Sequence, residues 1–123
     1  MAGKARMFSS QLHSSIGQMH ALLRATEAKS LAEGWNQEPD VIRAQGVVSE
    51  FVTHGQMGQA MQQIVPWHAQ LSAPGAVFLD VGSGAAGVGV ALCRLYPDIR
   101  VVGLEPFEAA MAEGRKVVAA AKL

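Results

Sequence analysis

The large apolar residues in the first part of the chain recur at helical spacing. Four of them lie four, three and four positions apart: Leu12, Ile16, Met19 and Leu23. This spacing places them in one stripe along a helix, and Ser9 or Ser10 can cap its start. The pattern predicts an amphipathic helix that buries this stripe, runs on through Leu31 and stops at Gly34.

Two further helices are predicted before residue 75. Asn36 can cap the second one, and Pro39 is tolerated in its first turn. We expect this second helix to end at Gly55 and a third, shorter helix to be closed by Pro66. Residues 67–74 are then expected to form a connector.

The pattern changes abruptly after residue 75. Residues 76–81 and 99–104 are short apolar runs typical of buried strands. A glycine-rich turn and a helix of small residues follow the first run, and a last helix follows the second. Strand, helix, strand, helix predicts a βαβα unit with a parallel sheet. The sequence therefore predicts an α/β chain with a helical region at 1–74, serving as a cap or for dimerisation, and a sheet region at 75–123.

Composition excludes several classes of partner. Ten basic and ten acidic residues among 123 cancel, and neither sign forms a cluster, so we expect no binding to nucleic acid or to a membrane. Cys93 is the only cysteine, so neither an intrachain disulfide nor a cysteine metal cluster is possible. We expect no metal site. His13 and His20 lie seven residues apart, whereas ligands on one helix normally lie three or four apart. The N-terminus lacks the apolar run of a signal peptide, which predicts a cytoplasmic location.

The turn after the first strand contains Gly82, Gly84 and Gly87. Glycines allow a ligand to approach the backbone, and the N-terminus of the following helix offers free N–H groups. We therefore expect a ligand with an anionic group at this point. Glu105 follows the second strand, and parallel strands end at the same edge of a sheet, so Glu105 is expected beside Gly82. A carboxylate there can accept hydrogen bonds from both hydroxyls of a ribose, which indicates an adenosine-type cofactor.

Two kinds of cofactor fit this arrangement. Residues 82–87 match the dinucleotide fingerprint G-x-G-x-x-G, which leaves a nicotinamide or flavin fold open. Asp80, however, lies two residues before the first glycine, where dinucleotide folds generally bury an apolar residue. A negative charge at this position suits a ligand with an ammonium group.

The segments at residues 79–87 and 102–106 resemble the first motif and the following acidic position of class I S-adenosylmethionine-dependent methyltransferases. The resemblance covers about residues 76–121 and implies a partial Rossmann-like parallel sheet. Ala86 departs from the family, which usually has glycine there. The implied binding residues for S-adenosylmethionine lie in the two loops: Asp80, Gly82, Ser83, Gly84 and Gly87 in the first, and Glu105, Pro106 and Phe107 in the second.

The same resemblance predicts that the chain is incomplete. The family's sheet has seven strands, this chain supplies two, and a third is expected just after Leu123. We therefore expect a truncated portion of a small-molecule methyltransferase, inactive alone, with no assignable catalytic residue and a small-molecule methyl acceptor if complete. The open strand edges predict a homo-oligomer formed by sheet pairing. The alternatives are a non-catalytic dimerising module and a fragment of an NAD-dependent oxidoreductase.

Overall fold

A computed structural model describes residues 2–29 and 37–123 of the chain. This part of the chain contains helices and one two-stranded parallel sheet. A π-helical turn, Thr53–Met57, joins α2 to α3. The elements are α1 Ala2–Ala28, α2 Pro39–Val52, α3 Gly58–Gln63, α4 Val65–Leu71, β1 Val77–Val81, α5 Gly87–Leu95, β2 Arg100–Leu104 and α6 Glu108–Ala121. The predicted α/β class with helices ahead of a parallel strand pair is confirmed.

Helix α1 is buried on a different face from the predicted one. Its large apolar stripe is exposed, and the residues it buries are small: Ser14, Ala21 and Ala25, with the half-buried Gly17 beside them. Val41 of α2 approaches Gly17 so closely that a Cβ there would collide with the valine methyl groups. The predicted burial of the stripe is therefore wrong, because the small face allows the closer approach between the two backbones.

The two predicted helix ends at Gly55 and Pro66 are also wrong. Gly55 lies within the π-helical turn, so the helical backbone continues past it into α3. Pro66 lies in the first turn of α4, where its missing N–H leaves no intrahelical bond unmade. Pro39 occupies the first turn of α2, as predicted. The predicted stop at Gly34, the cap at Asn36 and the passage through Leu31 lie outside the described residues.

The sheet pairs β1 with β2 in parallel, with Val77 opposite Arg100 and Val81 opposite Leu104. Phe78 and Val101 face α5 and pack against the core. The opposite face of the sheet is apolar and at least half exposed at four positions, Val77, Leu79, Val81 and Leu104. Only one face of the sheet is therefore covered within the described residues.

The main core lies between α5, the sheet and the helices before it. Leu92 and Tyr96 are almost completely buried there, together with Met61 of α3 and Ile99, which directly precedes β2. The ring of His68 in α4 lies 5.8 Å from that of Tyr96, centroid to centroid, at an interplanar angle of 49°. The short helices α3 and α4 thus cover the end of α5.

A second contact joins α2 to the glycine turn and to α6. Gly46 packs directly over Gly87, and a Cβ on Gly87 would collide with the Gly46 carbonyl oxygen. Arg43 of α2 donates to Glu113 of α6 at 2.9 Å, and Lys116 donates to the other Glu113 oxygen at 2.7 Å. Helix α2 therefore holds the helical region against the sheet region through backbone contact and a buried carboxylate.

Candidate functional site

The glycine turn bends back onto the end of β2. The N–H groups of Gly82 and Ser83 both donate to the Leu104 carbonyl, at 2.8 and 3.1 Å. Gly82 and Gly84 adopt φ values of +76° and +52°, in the left-handed region that favours glycine. The turn therefore depends on glycine at both positions and is held at the carboxyl edge of the sheet.

Glu105 joins this turn to the loop after β2. Its Oε2 accepts from the Gly84 N–H at 2.8 Å, and its Oε1 accepts from the Phe107 N–H at 3.0 Å. The predicted proximity of the glycine turn and Glu105 is thus present. Each carboxylate oxygen has two acceptor positions, so each can still accept a bond from a ligand.

An open cleft of about 820 Å³ lies between this edge of the sheet and helices α1 and α2. Its apolar wall includes Leu22, Ile42 and Phe107. Among the described residues that line it, the charged side chains are Glu105 and Glu108, both negative. This charge favours neutral or cationic ligands over the anionic ligand expected from the sequence.

Three glutamine side chains add polar groups to the helical wall of the cleft. Gln45 Nε2 donates to Gln37 Oε1 at 2.6 Å, and Gln18 Nε2 donates to Ser14 Oγ at 3.1 Å. Sequence reasoning missed all three. Glutamine is common on exposed helix faces, and no motif connects residues on α1 and α2 to the glycine turn.

The structure distributes the predicted binding residues over three places. Those in the cleft wall are Gly82, Gly84, Glu105, Pro106 and Phe107. Asp80 and Ser83 line a separate cavity of about 340 Å³, beside α5 and β2. Gly87 is buried beneath Gly46, so the start of α5 is covered by α2 rather than open to a ligand.

Asp80 lies on the same face of the sheet as Phe78, the face covered by α5. Its Oδ2 is buried without a hydrogen-bond partner, and burial raises the pKa of its carboxyl group above the usual range for aspartate. The carboxylate suits an ammonium group only if that group reaches the smaller cavity. Asp80 and Glu105 therefore do not line a common cavity.

The described residues contain neither a candidate metal cluster nor a candidate membrane-spanning helix. Between residues 2–29 and 37–123, no group of three or more His, Cys, Asp or Glu side chains is placed to hold a metal ion. No helix in the same ranges has both the length and the apolar character needed to cross a bilayer.

The chain was compared with known proteins. No family model matches it, and no solved structure matches it. A biosynthetic, chloroplastic threonine dehydratase from Arabidopsis thaliana is 34% identical over 94 residues, which cover 75% of this chain. The match covers 14% of the length of that relative.

This comparison contradicts the predicted family, function and cofactor. The relative's name describes the removal of water from threonine, a reaction that transfers no methyl group and so does not call for S-adenosylmethionine. The class I methyltransferase assignment is therefore wrong by this finding, and an NAD-dependent oxidoreductase fragment is not supported either. The relative is chloroplastic, so the cytoplasmic location stays a prediction. Over three quarters of its length, this chain is similar to a segment of a threonine dehydratase.

Proposed function

We propose that this chain binds a small molecule with hydrogen-bond donors on adjacent carbon atoms, in the cleft between α1, α2 and the carboxyl edge of the sheet. The observation that carries the proposal is the Glu105 carboxylate. It lies in the cleft wall and is held in place by the backbone N–H groups of Gly84 and Phe107. A fixed acceptor of this kind loses little freedom when a ligand binds.

The charge and shape of the cleft support a ligand of this class. Its volume of about 820 Å³ is of the size typical of small-molecule sites. The carboxylates Glu105 and Glu108 favour ammonium or hydroxyl donors, and the side chains of Leu22, Ile42 and Phe107 offer apolar contact. Sheets of parallel strands also bind ligands at the carboxyl ends of their strands. A Rossmann-like sheet that includes β1 and β2 remains part of the proposal.

The sequence relationship makes threonine the first ligand to test. The relative is named for its action on threonine, which carries an ammonium and a hydroxyl on neighbouring carbons. These two donors match the two oxygens of one carboxylate. Gln18 and Gln45 line the same cleft, and each side-chain amide has a second N–H, beyond the one already bonded, for the ligand's own carboxylate.

Titration of the full chain with L-threonine, followed by amide NMR, tests this proposal. The Gly84 and Phe107 N–H groups report directly on Glu105, so their signals should shift on binding. L-valine has nearly the shape of L-threonine but lacks the hydroxyl, and we expect it to bind roughly tenfold more weakly.

Two variants separate the position of Glu105 from the charge of the cleft. Glu105→Gln places a donor where an acceptor is needed and should weaken threonine binding by about tenfold or more. Glu108→Gln removes the same charge from the cleft wall, with a side chain that is 77% exposed, and should change the affinity much less. Equal affinities for threonine and valine, or binding unaffected by Glu105→Gln, would contradict the proposal.

A further inference from the structure

Helix α1 has two apolar faces of different character. The face of small residues packs against α2, whereas the opposite face carries five large side chains: Phe8, Leu12, Ile16, Met19 and Leu23. Each of the five is between 56% and 66% exposed. We call this set the α1 stripe. It is continuous, because its members lie four, four, three and four residues apart on one side of the helix.

The α1 stripe is large for a surface exposed to water. Side chains of this size and exposure present roughly 600 Å² of apolar area, at the upper end of the largest patch found on a typical monomer. Pairing two stripes would remove on the order of 1,200 Å² over both copies, which reaches the lower limit of stable interfaces. A second copy of the same helix therefore offers enough surface to form a dimer.

The two ends of the α1 stripe carry opposite charges. Lys4 lies four residues before Phe8, and Glu27 lies four residues after Leu23, so both continue the same line along the helix. Both residues are exposed. In a parallel pair of helices Lys4 would face the Lys4 of the second copy, whereas in an antiparallel pair it would face Glu27.

The spacing is also matched to an antiparallel pair. A two-fold axis near residues 15 and 16 places Phe8 against Leu23 of the second copy and Leu12 against its Met19. Ile16 then packs beside Ile16 of the second copy, close to the axis. The same axis brings Lys4 against Glu27 at both ends, so apolar and charged positions match in one register.

We infer that this protein forms an antiparallel homodimer through the α1 stripe. The inference does not depend on the proposed ligand. None of the five stripe residues lines the cleft, whose α1 wall contains Gln18 and Leu22, so the dimer interface and the cleft use different residues of α1. The dimer interface therefore lies on α1 and not on the exposed face of the sheet.

Sedimentation velocity on the full chain tests the dimer and its location. We expect a dimer at micromolar concentration that Ile16→Glu dissociates, since the substitution places two like charges beside the axis. Leu79→Glu puts the same charge on the exposed face of the sheet and should leave the dimer intact. Circular dichroism checks that both variants fold. A wild-type monomer at about 100 µM, or a dimer lost only in Leu79→Glu, would overturn the inference.

A charge exchange tests the antiparallel orientation. Lys4→Glu alone and Glu27→Lys alone should each weaken the dimer by about tenfold, because each creates two like-charge contacts. The double variant Lys4→Glu/Glu27→Lys restores opposite charges at both ends and should recover the wild-type dissociation constant. A parallel dimer keeps like charges together in all four proteins, so equal dissociation constants across the set would overturn the orientation.

Discussion

Helix α1, in the helical region of residues 2–29 and 37–71, buries smaller side chains than the sheet region, residues 77–121, does. In the sheet region the core is built from large residues such as Leu92 and Tyr96. In the helical region the residues that α1 buries are small, such as Ala21 and Ala25, and the large side chains of α1 face outward. Large residues therefore fill space between a helix and the sheet, whereas small residues let two helix backbones approach.

The contact between the helical region and the sheet region is also made by small residues that let two backbones approach. Gly46 of α2 lies over Gly87 at the start of α5, with no side chain between the backbones. The ion pair of Arg43 with the buried Glu113 lies beside it. The helical region is thus joined to the sheet region by close backbone contact, and the cleft lies between the two.

The largest effect is expected from a side chain placed at this contact. Gly87→Ala puts a Cβ against the Gly46 carbonyl, a backbone group that cannot move without displacing α2. We expect a loss of about 3 kcal/mol in the free energy of unfolding, measured by urea denaturation. Gly55→Ala is the matched control, because its Cβ meets open space within a helical turn. It should leave stability unchanged or raise it by about 0.5 kcal/mol. Equal losses in both variants would show that the close contact is not the cause.

A smaller effect is expected at Glu113. Hydrogen bonds from Lys116 and Arg43 hold the pKa of its carboxyl group below the usual range for glutamate. The carboxylate therefore contributes stability that is present above the ordinary glutamate pKa and is lost as the pH falls through the lowered value. Glu113→Gln should lower the unfolding temperature at neutral pH by a few degrees. The difference from wild type should shrink on acidification, and a difference that is constant with pH would contradict this origin.

The smallest effect is a gain of stability at Asp80. Burial raises the pKa of this carboxyl group, so stability falls as the pH rises from the ordinary aspartate pKa through the raised value. Asp80→Asn should therefore raise the unfolding temperature at neutral pH by roughly 1 °C, and by less near pH 4. Asp98→Asn changes an exposed carboxyl group and serves as the control. A loss of stability on Asp80→Asn at neutral pH would mean that the carboxylate has a partner in solution.

Much of the sheet region could be predicted from local sequence. The observed strands Val77–Val81 and Arg100–Leu104 begin one residue later than predicted and end where predicted. Short apolar runs bounded by glycine and proline define such strands without reference to distant residues. The neighbouring positions of Gly84 and Glu105 followed in the same way, because parallel strands end at one edge.

The helical region was predicted less well, because its spacing did not distinguish the buried face from the exposed one. Leu12 and Ile16 have the spacing of a buried stripe, yet both are exposed. Pro66 fits either the end of one helix or the first turn of the next. Both choices depend on which surface a neighbouring helix covers, and that information lies elsewhere in the chain.

The sequence by itself determined the βαβα order, the turn with left-handed positions at Gly82 and Gly84, and the place of Glu105 beside it. Tertiary structure alone decided that Gly87 is covered by α2, that Asp80 and Glu105 line different cavities, and that glutamines of α1 and α2 share the cleft. The physical reason is the separation along the sequence between the residues that interact. Turns and strands arise from interactions between residues near in sequence, whereas burial depends on how closely two distant backbones can approach.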